Sequence, residues 1–574
     1  MLNLIRQVES DKSCEMSVAI EKCKGISRAI KASRVPSSFL PVRSDIPDRQ
    51  LADDLIAKYL DTFETVYRVL HIPSFRADYE RYWADPPAAS RSFVILMQLC
   101  MAIGTSFRDD VASLRAMSTR WIYEAHVWSD APTREKSRMT IQGLQIMCLL
   151  HFARHAGGIG GDMAWVGAGS LLRRAMYCGL HIDPRHMGGV SVLRAEMRRR
   201  IWATILEINL QSSIDAGGPP LLSPEDYDTA PPANLDDQDL RDHFEPVDVT
   251  RRGDKNFTQT SVQIAIFRSF PQRLAIAKAV NNILPRMPYS ELIRVSTELT
   301  SASQALHQEL SLFPLDECGK GGVSGFAKGM ASMMVHRMFF ALHIPLLMTS
   351  FQNPAYYFSR KMCIDTALKF CALANLSPPN PRRQVDPSEA DFVRLTSTAA
   401  GPYGITVFQA TLVVAVELMA RKEERREQGS TVALGENELR SILEASLDWT
   451  ERRIRNGETN VKGSTFHTAL LAQVDAFDAG LEGAAAQDAI TQSTMKQLAM
   501  CYEILKELAG DVSVGEPSVS TVSLPGFGTY EPDPMDTMFQ GWEDLVRQPH
   551  FHSPAAAEFP RMQCQWKLTN GPII

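Results

Sequence analysis

The stretch Arg198-Arg199-Arg200-Ile201-Trp202, followed by the turn Gly217-Gly218-Pro219-Pro220 and the acidic run from Asp226 to Asp239, decides how this chain is read. The three arginines enter a helix on which Leu193, Met197, Ile201, Ile205 and Ile208 form one apolar stripe. The Gly/Pro turn ends that helix. After it come Asp226-Tyr227-Asp228 and Pro231-Pro232-Ala233-Asn234-Leu235-Asp236-Asp237. No step of this pattern has the geometry of a catalytic or metal site. Arginines leading into a buried helix more often form ion pairs than a nucleic-acid patch. The spacing therefore predicts that Arg194, Arg198, Arg199 and Arg200 meet carboxylates of residues 226–239.

Outward from this stretch the chain reads as helices throughout. Leu51, Leu55, Tyr59 and Phe63 recur at four-residue spacing, and the helix they mark ends near Val69-Leu70 at Pro73. Ser74 can cap the next helix, which carries Phe75, Tyr79, Tyr82 and Trp83. Apolar periodicity then predicts helices over 93–107, 111–129, 138–152, 163–181, 262–283, 289–312, 330–348, 361–376, 408–427 and 438–455. No segment alternates with period two, and no strand–helix–strand rhythm appears. Residues 1–50 mix charge with Ser and with Pro36, Pro41 and Pro47, the composition of a flexible arm. From Gly510 to Pro534 the chain turns to Ser, Val, Gly and Pro, a linker composition.

Three segments, in their shared order, resemble the middle homology region of fungal zinc-cluster transcription factors. They are Val69-Leu70-His71-Ile72-Pro73-Ser74-Phe75; the helix from Trp165 ending Gly179-Leu180-His181-Ile182-Asp183-Pro184; and the Arg-rich helix with its Gly-x-Pro turn and Pro-x-Asn-x-Asp-Asp segment. The resemblance spans about residues 51–505 and is strongest over 138–240. It implies an all-α fold, a large multi-helix array with one extended core, between a disordered N-terminal arm and a C-terminal tail. The expected divisions are an arm over 1–50, the middle homology region over 51–250, a helical continuation over 251–509, and a linker with an acidic-aromatic tail over 510–574. The implied role is the regulatory domain of a nuclear transcriptional regulator, acting on a metabolic or secondary-metabolite gene set. The expected partners are the transcription machinery or a DNA-binding protein, with homodimerisation left open. A ligand-binding or scaffold protein that kept the helical domain without DNA binding is the alternative.

Composition narrows the classes further. The 574 residues are 45% hydrophobic and 22% charged, ordinary for a chain that buries a core, and the net charge of -6 is not that of a polycation shaped for nucleic acid. Ten cysteines lie mostly in apolar runs, and no C-x-x-C occurs. Residues 330–351 and 405–420 are apolar but carry His336, Arg337 and His343, and Gln409 and Glu417. They read as buried core helices rather than membrane spans.

The zinc cluster of the resembled family needs six thiolates in two C-x2-C-x6-C half-sites, and only Cys14 and Cys23 precede the helical region here. Contact with DNA is therefore expected only indirectly or through a zinc cluster missing from the N-terminus. No catalytic, cofactor-binding or metal-binding residue is assigned, and an enzyme is not expected. The loop Gly157 to Gly161 lacks the pattern and the preceding strand of a phosphate site. His151, His155, His181, His186 and Asp183 lack the spacing of a metal motif, although His151 and His155 share a helix face. Ser170 sits mid-helix rather than in a nucleophile elbow. Arg421 to Arg426 alternates sign as a solvated helix end does. The segment Tyr530 to Val546 alternates acidic with large apolar residues, with Met538, Phe539, Trp542 and Leu545 as spaced anchors. It suits folding into a partner's groove, and equally docking back on the protein's own core.

Overall fold

A computed structural model describes residues 14–35, 46–130, 138–159, 163–240, 256–282, 287–314, 322–377, 387–428 and 435–510. The helices begin where short polar side chains can cap them. Asp48 accepts from Leu51 N ahead of α2 (Arg49–Asp61), Ser90 from Phe93 N ahead of α5 (Arg91–Gly104), and Ser191 from Arg194 N ahead of α9 (Val192–Ala216). Between them lie α3 (Phe63–Tyr67), α4 (Ile72–Ala84), α6 (Val111–Asp130), α7 (Ile141–Gly157) and α8 (Ala164–Tyr177). The chain continues through α10 (Ser261–Arg268), α11 (Phe270–Val280), α12 (Tyr289–Leu312), α13 (Gly325–Gln352), α14 (Tyr357–Leu373), α15 (Pro387–Thr398), α16 (Pro402–Gln428), α17 (Glu436–Arg455), α18 (Lys462–Asp478) and α19 (Gly483–Ala509). No strand occurs among the described residues. The helix expected over 262–283 is two helices, because Pro271 at the second position of α11 cannot donate the bond that would continue α10.

The main core is built on α5 and α7, whose central residues are buried on nearly every face, and on α13 and α16. Its members run from Ala52 to Val474 and include Trp121, Trp128, Trp202 and Trp449, all within 2% of complete burial. Helices α13 and α16 are long and apolar enough to cross a membrane, yet 83% and 72% of their most apolar windows are buried within the fold. They are core helices.

Two expectations are corrected. The flexible arm expected over residues 1–50 contains a packed helix, α1 (Glu15–Arg34), and the segment over 1–13 and 36–45 lies outside the described residues. Met16, Cys23, Ile26 and Ile30 of α1 pack with Leu498, Cys501, Ile504 and Leu505 of α19. Cys23 Sγ donates to Leu498 O at 3.8 Å, and Ser27 Oγ to Thr459 O at 2.6 Å. The apolar stripe of α1 is only one residue wide per turn, so its burial depends on a partner more than 400 residues away in sequence. These residues form a second, smaller core beside the main one, where one extended core was expected.

Helix α2 crosses α5 at Gly104, where a β-carbon would lie 2.1 Å from Leu55 O. That atom is backbone, so the helices would have to separate. Gly104→Ala should therefore lower stability by about 3 kcal/mol, the upper end of overpacking costs. Chemical denaturation checks this, and a variant within about 0.5 kcal/mol of the parent would show that the crossing is loose.

Candidate functional site

The acidic segment after the Gly/Pro turn is tied to the arginine-rich helix through one carboxylate above all. Asp237 Oδ1 accepts from Arg200 Nη1 at 2.6 Å and from Arg68 Nη2 at 2.5 Å, and Oδ2 accepts from Ile72 N at 2.8 Å. All three side chains are at most 2% exposed. Burial pushes the Asp237 carboxyl up, and the two guanidiniums more than offset it, so its pKa lies below the usual carboxylate range. Arg68 is presented by a left-handed residue (φ 50°) that closes α3, beside Glu64, which accepts from Tyr59 Oη, Val69 N and Leu70 N. His71 Nε2 pairs with Asp237 O at 3.0 Å. The sequence's His-x-Pro-Ser turn and its Asp-Asp segment thus meet at one point.

The expected ion pairing holds for Arg200 but is redistributed for its neighbours. Arg199 pairs with Asp183 at 2.8 Å and with Glu196, outside residues 226–239. Arg198 donates to the carbonyls of Cys178 and Gly179. Ala230 and Ala233 of the segment are held instead through their backbone. Asp183 Oδ2 accepts from Ala230 N, and Glu196 Oε2 from Ala233 N. Sequence spacing cannot show this reversal, because a backbone amide leaves no mark in residue type. At the Gly/Pro turn, Trp165 Nε1 donates to Pro219 O, and a β-carbon on Gly218 would lie 2.8 Å from the Trp165 ring.

The five grouped histidine and aspartate positions divide into separate places. His186 and Asp183 both meet Asp228, His186 through its Nε2 at 2.7 Å and Asp183 through its backbone N. His181 joins them only through its backbone, its carbonyl accepting from Asp228 N at 3.0 Å, while its buried ring Nδ1 has no partner. His151 and His155 lie on α7 with ring centroids 4.4 Å apart. No group of three His, Cys, Asp or Glu residues fit to hold a metal ion occurs among the described residues. Gly158 ends α7 as a cap in the left-handed region, with Ile159 N bonded to Arg154 O, and Gly160 and Gly161 of the loop lie outside the described residues. Lys422, expected in a solvated helix end, is 6% exposed and bridges Glu436 and Asp478, joining α16 to α17 and α18. The tail over 530–546 lies outside the described residues.

His151 and His155 face a small internal cavity, which sequence reading missed because its walls come from α3, α7, α9, α13 and α16. Its volume is about 30 Å³, and Tyr67, Glu207, Gln211, Met334, Arg337 and Tyr403 complete much of the lining. That is room for one or two waters and no larger ligand. The charges around it are paired: Glu207 with Arg273 at 2.6 Å, and Arg337 with Asp215 and with Gln211. Elsewhere the buried histidines are held by hydrogen bonds. His343 bonds both Ser296 and Ser359, and His336 bonds Ser332 and Lys369. Burial lowers the pKa of His155 and His336 to about 4, of His343 and His467 to about 3, and of His151 well below its ordinary value.

Truncating Arg200 leaves Asp237 short of one charge in a dry site, so Arg200→Ala should cost about 3–5 kcal/mol. Arg198→Ala, which loses carbonyl contacts at a partly exposed position, should cost about 1 kcal/mol. Denaturant melts that give the two variants equal stability would remove Asp237 from its central place. The histidines set the pH dependence. Each binds its proton less readily folded than unfolded, so stability is present above pH ~6.5 and is lost as the pH falls toward the folded values. Five such groups contribute up to about 1.4 kcal/mol each per pH unit. Glu64, raised by burial to about 7, and Glu124, also raised by burial, act in the opposite direction, losing stability as the pH rises above about 4.5, but they are two groups against five. Urea midpoints should fall steadily from pH 7.5 to pH 5. A midpoint that rises on acidification would contradict the burial of these rings.

Residues 56–303 match the family described as the fungal specific transcription factor domain. Transcription factor asR3 of Sarocladium schorii is 30% identical over 532 residues, covering 87% of this chain and 62% of that protein. Transcription factor lepE of Aspergillus flavus is 30% identical over 524 residues, covering 86% of this chain and 60% of that protein. The aspyridones cluster regulator apdR of Emericella nidulans is 26% identical over 349 residues, covering 59% of this chain and 46% of that protein. The chain therefore spans about three fifths of the length of the first two relatives. The Asp237 node, with Arg68, His71 and Arg200, lies inside the matched span, and residues 56–303 of this chain are a fungal specific transcription factor domain.

Proposed function

We propose that the chain is the regulatory part of a fungal transcriptional regulator acting in the nucleus on a set of metabolic or secondary-metabolite genes. The observation that carries this reading is the likeness to named transcription factors over almost the whole described body, 87% of the chain in one case. A relative named for the aspyridones cluster supports the narrower assignment to metabolite genes. The role is non-catalytic. The charged groups that line the internal cavity are committed to partners, Glu207 to Arg273 and Arg337 to Asp215 and Gln211. Residues 51–250 and 251–509 act as one regulatory body, because Phe63, Ile201, Ile266 and Leu274 share a core. Residues 510–574 serve as a separate tail that reaches the transcription machinery. DNA contact is made by a zinc cluster or by a DNA-binding partner.

The second reading, a ligand-binding protein, is favoured by one observation. His155 is 5% exposed, lines the cavity and makes no ring hydrogen bond, an arrangement open to a guest. At about 30 Å³ the cavity admits a metabolite only after Met330, Met333 and Met334 move.

Fused to a foreign DNA-binding domain, residues 528–548 should activate a reporter, and Phe539→Ala with Trp542→Ala should abolish it. A silent fusion would remove direct activation by the tail. Deleting the gene and profiling transcripts tests the wider reading, which fails if no clustered gene set changes expression.

A further inference from the structure

Helix α8 turns one face away from the core. Its inner residues Ala168, Leu171, Leu172 and Ala175 are buried, whereas Val166 is 51% and Tyr177 79% exposed. Val166, Ser170, Arg173, Arg174 and Tyr177 follow one another along that outer face, and with Met139 they line an open groove of about 390 Å³. Met139 and Met163 add exposed apolar surface at 39% and 38%. Of the exposed large apolar side chains of the described residues, Met139, Val166 and Tyr177 line this one groove, so they form a patch rather than scatter.

The patch is also basic. Arg173 donates only to the carbonyl of Gly169, one turn back in its own helix. Arg174 touches Ser129 and Met147 and lies 3.9 Å from Asp130. The surface therefore asks for an occupant that is apolar along one edge and acidic along the other.

The chain contains such a segment. Residues 530–546 carry Glu531, Asp533, Asp536, Glu543 and Asp544 and no Lys or Arg. Met535, Met538, Trp542 and Leu545 are spaced by three, four and three, one face of a helix. As a helix those anchors would cover about 15 Å, and Val166 to Tyr177 spans about 16 Å, at 1.5 Å per residue. The tether is adequate. Residues 511–529 number nineteen, and a Gly/Ser/Pro-containing spacer of that length bridges about 24 Å on average and ~60 Å at full stretch. Its root at the end of α19 packs on α1, α1 packs on α6, and Ser129 at the end of α6 touches Arg174.

We propose that the outer face of α8 is the docking site for the chain's own acidic-aromatic segment, residues 530–546. Met538 and Trp542 fill the groove between Met139, Val166 and Tyr177, and the acidic residues face Arg173 and Arg174. The contact holds whatever genes the protein controls, and a reporter result for the tail leaves it untouched. It makes the groove and any external partner compete for the same anchors.

A fluorescent peptide of residues 528–548, added to the full-length chain, tests this. Binding to the chain carrying Phe539→Ala and Trp542→Ala, whose own tail is disarmed, should be at least about tenfold tighter than to the parent, since a tethered tail competes at an effective concentration on the order of millimolar. Val166→Asp or Tyr177→Asp, added to the disarmed chain, should abolish it without shifting the melting temperature, because both positions are exposed. Affinity should also fall with added salt and with Arg173→Glu. Equal binding to parent and disarmed chains, or binding that survives both aspartate substitutions, would overturn the proposal. So would a concentration-dependent dimer abolished by Tyr177→Asp, which would give the groove to a second copy.

Discussion

The carboxylate of Asp237 joins parts of the chain that sequence keeps far apart. The segment over residues 227–240 carries one helical turn, Asp237–Asp239, so most of its polar groups must be met from outside. Asp237 pins it by accepting from Arg68, Arg200 and Ile72 N at once. In water such a pair contributes little. Here each partner is at most 2% exposed, so the cost of leaving one unpaired is far larger than the worth of making the pair. The node therefore acts less as a source of stability than as a selector of geometry. It admits one relation between α3, α4 and α9, and α9 in turn packs on α8 and carries part of the cavity wall.

The same reasoning separates the buried histidines from the patch on α8. His343 and His336 are satisfied by serine hydroxyls and a lysine, so they specify the interior and are unavailable for chemistry. His151 and His155 touch, ring centroids 4.4 Å apart, and border a space for one or two waters, a site a guest can claim only by displacing methionines. The outer face of α8 needs no such rearrangement. Regulation that acts through surface contact is thus within reach of this fold as it stands, and regulation by a buried ligand requires the core to open.

Much of the architecture was legible in the residues. The helices over 93–107 and 289–312 follow from apolar spacing, and the all-α class from the lack of any period-two alternation, whereas the helix expected from Leu51 to Leu70 breaks at Thr62 into α2 and α3. The Trp165 helix and the Gly/Pro turn were read as two separate segments, and only the fold lays the ring of Trp165 on Gly218. Helix α1 was missed because its apolar stripe is narrow and set among lysines and serines, a pattern equally at home in a solvated arm. The solvated reading of residues 421–426 failed at Lys422 for a related cause: the two carboxylates that bury it arrive from α17 and from the end of α18.

By itself the sequence determined the helical class, the punctuation of the helices and the meeting of arginine with aspartate, because periodicity, capping and charge are properties of neighbouring residues. Tertiary structure alone decided which arginine meets which carboxylate, that a second core joins α1 to α19, and that two histidines of α7 border a cavity. Those outcomes depend on what lies across a packed interface, and a buried group's partners are chosen by the helices that surround it rather than by the residues that flank it.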